Sequence, residues 1–89
     1  MQLEPGHYYD VVLPDGSSER VGAIAAKGDG WWEVGAWRGY YEPRPGVCKV
    51  RPLGYKHSLN LSQLVSVREF TPDEMMATFK SLGGKVPTE

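Results

Sequence analysis

His7, His57 and Cys48 are the side chains in this 89-residue chain best suited to chemistry. Two imidazoles and a thiol, joined by an acid, can hold a zinc ion. A thiolate beside an imidazole can act as a nucleophile with its base. The spacing argues against both. There is no Cys-x-x-Cys or His-x-x-x-His pair, and ligand spacing is what makes a metal motif specific. A lone thiol in an alternating strand ordinarily serves as a small buried apolar residue. Ser17-Ser18 lies in a turn-rich connection without the setting of a nucleophile elbow. Gly28-Asp29-Gly30 lacks the lysine and the strand-to-helix context of a phosphate loop, so it reads as a hairpin turn. The acids are numerous, but no pair stands out for acid–base work. The expectation is a non-enzymatic protein with no metal and no cofactor.

Binding is better supported than catalysis. Trp31, Trp32, Trp37, Tyr40 and Tyr41 crowd into one short stretch of a chain with three Trp, five Tyr and two Phe. Neighbouring side chains of a strand point to opposite faces, so Trp31 and Trp32 cannot both enter one small core. One face of this segment is expected to present aromatic surface, and such a patch generally has a partner. The aromatic stretch runs into a basic one. Residues 34–57 carry five Lys and Arg against one Glu, a net +4, whereas residues 1–33 carry a net −4 and residues 58–89 a net −1.

Trp, Tyr and Arg are enriched at the energetic centres of protein interfaces, and Arg grips carboxylates bidentately. The expected contact patch is Trp31, Trp37, Arg38, Tyr40, Tyr41 and Arg44, with Lys49 and Arg51 at its rim. The first expected partner is another protein. Single-stranded nucleic acid is the alternative, because bases stack on rings while cations track phosphates. A pI near 6.1 counts against it. An anionic small ligand would use the same residues. Two blander readings compete: the charge blocks neutralise each other across a sheet, and the aromatics merely pack. Homodimerisation through the same face would also cover the patch.

The elements that must position these residues are short. Tyr8–Leu13, Arg20–Ala26, Trp31–Trp37, Val47–Arg51 and Leu64–Phe70 read as strands, rich in β-branched and aromatic residues and separated by Gly and Pro. Trp32, Val34 and Ala36 form the core-facing side of the third strand, opposite Trp31, Glu33, Gly35 and Trp37. Cys48 and Val50 are expected inside the fourth. Tyr41–Gly46, with two prolines, reads as a stiff irregular loop. Residues 55–63 show no decisive pattern, although Ser58–Gln63 suits a turn or single helical turn. The clearest signal is a helix over 71–83. Thr71 as N-cap, Pro72 as first helical residue and Glu74 complete a capping box. Met75, Phe79 and Leu82 form its inward stripe, and Gly83 its C-terminal stop. Residues 84–89 are expected to be a flexible tail.

The chain is therefore expected to be a single mainly β domain over 1–89, with one C-terminal helix. The five strands form a small curled antiparallel sheet. Their order and loop lengths resemble SH3-like or Tudor-type barrels over residues 6–70, a likeness of architecture carried by no motif. A single cysteine favours a reducing cytoplasm. The chain has no signal-like start and no apolar run of membrane-spanning length, so no membrane partner is expected. Small inhibitors and adaptors of phages and mobile elements share this size and character.

Overall fold

Alternating and β-branched residues build seven strands and one helix in the computed structural model, which describes residues 2–45 and 47–81. The strands are β1 (Tyr8–Val12), β2 (Ser18–Gly28), β3 (Trp31–Ala36), β4 (Tyr40–Arg44), β5 (Val47–Val50), β6 (Lys56–Asn60) and β7 (Ser66–Phe70). A single 3-10 turn, Leu61–Gln63, precedes β7, and α1 (Pro72–Ser81) follows it. Five strands make one antiparallel sheet in the order β6-β3-β2-β1-β7, and β4 and β5 form a separate two-stranded ribbon. The five-stranded antiparallel sheet and terminal helix agree with expectation. The sheet is not closed into a barrel.

Two expectations need correction. The sequence suggests a loop over Tyr41–Gly46, but Tyr40–Arg44 is a strand. Proline lacks the N–H needed in the middle of a sheet but is tolerated on edge strands and at bulges. Pro43 lies where the β4–β5 register shifts, between the Tyr41–Lys49 and Arg44–Val47 pairs. The second correction concerns sheet membership. The strand read at Val47–Arg51 pairs with β4, and β6, from the undecided segment, takes its place beside β3. The side chain of Cys48, the stop at Leu82-Gly83 and the tail at 84–89 lie outside the described residues.

The sheet has two unlike faces. Tyr9, Val11, Val21, Ala23, Trp32, Val34 and Leu59 form the main core with Leu3, and Leu13, Leu61, Leu64 and Val67 pack against it. Trp32 and Val34 face inward as their alternation requires, while Ala36 is only partly buried. The β2–β3 hairpin turns on Asp29 and Gly30, with φ of 55° and 83°. Asp-Gly at two consecutive positive-φ positions is the favoured chemistry for a two-residue hairpin.

On the other face, register sets Phe70, Tyr8, Gly22, Gly35 and Lys56 in one row across the five strands. The two glycines leave a gap in that row, and Leu53 fills it. A Cβ added at Gly35 would lie 2.7 Å from the Leu53 Cβ, and one at Gly22 would lie 2.7 Å from its Cδ2. The next row is charged. Arg20 donates to Asp10 at 2.7 and 3.2 Å, Arg68 donates to Asp10 at 3.3 Å, and Arg68 also donates to Glu74 at 2.8 Å. Glu74 closes the expected capping box: its carboxylate accepts the Thr71 N–H at 3.3 Å, and its own N–H donates to the Thr71 hydroxyl at 3.2 Å. A charged chain thus ties β2, β1 and β7 to the start of α1.

Two outcomes follow. Gly35→Ala is expected to cost about 1–3 kcal/mol in denaturant unfolding, the usual overpacking range. Gly22→Ala should cost less, because the methyl end of Leu53 can rotate away and its Cβ cannot. Leu53→Ala should recover part of the Gly35→Ala loss in a double-mutant cycle. The second outcome concerns pH. The hydrogen bond from Arg20, helped by Arg68, holds Asp10 below the ordinary carboxylate range; that from Arg68, helped by the Thr71 N–H, does the same for Glu74. Depressed carboxylates stabilise the fold above their unfolded pKa, and the contribution disappears as pH falls through the folded value. The melting temperature should therefore drop below about pH 4, and Asp10→Asn should reduce that drop while costing about 1 kcal/mol at neutral pH.

Candidate interaction surface

The eight residues read as a contact patch separate into three groups in the fold. Trp31 stands alone where β3 leaves its hairpin, paired with Asn60 of β6 and 42% exposed. Trp37 and Tyr40 are half-buried and engaged in packing. The Trp37 ring meets Tyr8 at 4.9 Å, Tyr40 at 5.5 Å and Phe70 at 5.8 Å, all edge-on. Edge-on rings align the positive rim of one with the negative face of the next. Tyr40 stacks on Phe79 at 5.0 Å and donates its hydroxyl to the Met75 carbonyl at 2.7 Å. Phe70 and Phe79 are almost fully buried. These rings form a second core that joins the sheet, the ribbon and α1.

The third group lies on and beside the ribbon. Successive residues of β4 alternate in direction, so with Tyr40 turned to α1, Tyr41 lies on the other side, where register pairs it with Lys49. Arg51 donates through Nε to the Tyr40 carbonyl at 3.1 Å and places its guanidinium 5.5 Å from the Tyr41 ring centre. The Arg51 N–H is fixed on the Gly39 carbonyl at 2.8 Å. Arg44 is exposed at the far end of β4. Arg38 lays its stem against Gly54, where an added Cβ would sit 3.0 Å from its Cδ. The structure therefore assembles Tyr41, Lys49 and Arg51, with Arg44 on the same ribbon and Arg38 near its base.

Ion pairing separates the bases of residues 34–57 from Arg20, Lys27 and Arg68, although Lys80 of α1 also has no ion pair among the described residues. Arg20, Lys27 and Arg68 each pair with a carboxylate. Among the described residues, no carboxylate lies within 4.0 Å of Arg38, Arg44, Lys49, Arg51 or Lys56. The basic and acidic blocks do not neutralise each other across the sheet. The one close contact between a base of one block and a carboxylate of the other, among the described residues, is His57 Nε2 with Glu19 at 3.4 Å.

The two histidines sit in separate places. His57 stacks under Tyr55 at 5.5 Å, and its Nδ1 is buried without a hydrogen-bond partner. His7 Nδ1 lies 3.1 Å from Glu69, a residue from the far end of the chain. No spacing in the sequence signals that contact, since β1–β7 pairing alone creates it. No three His, Cys, Asp or Glu side chains among the described residues converge as a metal-binding group. No protein-family model, curated protein or solved structure matches the chain.

Trp37 and Trp31 should behave differently on truncation. Trp37→Ala is expected to cost about 3 kcal/mol, near the lower end for a buried large aromatic. Trp31→Ala should cost less than about 1 kcal/mol. Urea unfolding of the two variants checks this.

Proposed function

We propose that this domain is a non-enzymatic binding module, an inhibitor or adaptor, that docks the β4–β5 ribbon on an acidic surface of another protein. The observation that carries the reading is the set of cations on and beside the ribbon that have no carboxylate partner among the described residues. Arg38, Arg44, Lys49 and Arg51 keep their charge for an outside partner, while Arg20, Lys27 and Arg68 are consumed in internal pairs. Complementary charge steers encounter and fixes register, and Arg at an interface adds bidentate bonds to carboxylates. The ribbon is also braced. Tyr40 is held by stacking on Phe79 and by its bond to α1, so little order has to be imposed on its root at binding. The rest of the chain, net −5 against the +4 of residues 34–57, would be repelled by a long polyanion. That favours an acidic protein patch over nucleic acid.

The test is capture of partners from host lysate by the wild type and by an Arg44→Glu/Lys49→Glu/Arg51→Glu variant, each with and without nuclease. The expected result is a protein retained after nuclease treatment and bound at least about tenfold more weakly by the variant, with the variant melting as the wild type does. Equal capture by both would refute the ribbon as the contact. Loss of all capture on nuclease treatment, with a steep salt dependence, would replace the protein reading with a nucleic-acid one.

A further inference from the structure

We infer that a cleft where β1 begins, β7 ends and α1 starts is a receptor for the side chain of a lysine on a partner protein. The cleft is about 100 Å³ and is lined by Gly6, His7, Tyr8, Glu69, Phe70, Pro72 and Met75. That is well below the volume of a cofactor or drug-sized pocket, so it has room for one side chain. Its walls are apolar: Tyr8, Phe70, Pro72 and Met75. Its mouth is acidic. The Glu69 carboxylate lies 3.1 Å from His7 Nδ1, and the Glu4 carboxylate reaches the same nitrogen at 3.7 Å. Two carboxylates share one imidazole, so a neutral His7 leaves the mouth with two negative charges and a protonated one still leaves an excess of one. The nearest base of β7, Arg68, does not cancel them, because Asp10 and Glu74 already hold its guanidinium.

Apolar walls below a carboxylate rim match the two halves of lysine. Its methylene stem buries along apolar surface while the ammonium stays at the water boundary. With Nδ1–H donated to Glu69, a neutral His7 keeps Nε2 as an acceptor. An ammonium, with three donors and no acceptor, can use both that nitrogen and the carboxylate. This cleft is independent of the ribbon reading: it carries the opposite charge and rests on different residues. Either can fail alone.

The test is an NMR titration of the full chain at neutral pH with Nα-acetyl-lysine N-methylamide and with its norleucine counterpart, which keeps the stem and lacks the amine. The lysine probe should shift the amides of Gly6, Tyr8, Glu69 and Phe70 and the methyl of Met75. It should bind about fivefold tighter than norleucine, the scale of a half-exposed ion pair. Glu69→Gln should erase that preference and leave norleucine affinity unchanged. The variant's spectrum away from the cleft shows whether it has folded. Norleucine binding as tightly as lysine would reduce the cleft to a nonspecific apolar dent. A lysine preference that survives Glu69→Gln, or no cleft shifts at tens of millimolar probe, would equally overturn the inference.

Discussion

One indole holds the three parts of this molecule together. Trp37 follows β3 directly, and its ring touches β1 through Tyr8, β7 through Phe70 and the ribbon through Tyr40. Tyr40 then passes the connection to α1 by stacking on Phe79. A domain of this size cannot bury a deep core on both faces of a sheet. Aromatic rings solve that problem by covering much area with few rotatable bonds. The main core stabilises one face of the sheet. The Trp37 cluster stabilises the other and sets where the ribbon and helix can lie, so both surfaces assigned to partners depend on it.

Charge is distributed by the same architecture. On the face bearing the second core, Asp10 receives two arginines, and Arg20 also lies over the Phe70 ring, its guanidinium carbon 3.8 Å from the centre. A partly shielded guanidinium with both a carboxylate and a ring contributes more than an exposed pair does. Among the described residues, the ribbon's cations have no such carboxylate, although Arg51 donates to the Tyr40 carbonyl. Tyr41 beneath Arg51 is the nearest equivalent, and there the charge stays open to the outside.

Local chemistry was legible in the sequence, and long-range juxtaposition was not. The Thr71–Glu74 capping box, the Asp29-Gly30 hairpin and the opposed directions of Trp31 and Trp32 all follow from residues a few positions apart. The mainly β class with a terminal helix follows from the same signals. Trp37 looked equivalent to Trp31 because both occupy the outward register of one strand. What separates them is Tyr8 and Phe70, delivered by strands distant in sequence. Gly35 stands in the sequence only as a member of the outward face of its strand; its purpose appears when register sets it beside Gly22 under Leu53. β4 was hidden by Pro43 within it and Pro45 just beyond it, and β6 by a composition that suits a turn as well as a strand. Of the contact patch, Tyr41, Lys49 and Arg51 assemble because they share one ribbon, and the acidic cleft was invisible because β7 supplies its carboxylate.

The pairing of β1 with β7 has a consequence for biogenesis. β1 is made before every other strand of the domain, and its second neighbour, running from Ser66 to Phe70, is made after all of them. Until then one edge of β1 is a row of unmet amide donors and acceptors, a template for any strand that passes. A nascent chain can form the β1–β2–β3 meander by local hairpins, but closure must await β7, and such non-local pairing is slow. The interval before β7 arrives is therefore when this protein is most exposed to association with its own copies, and a translation pause between β3 and β7 would lengthen it.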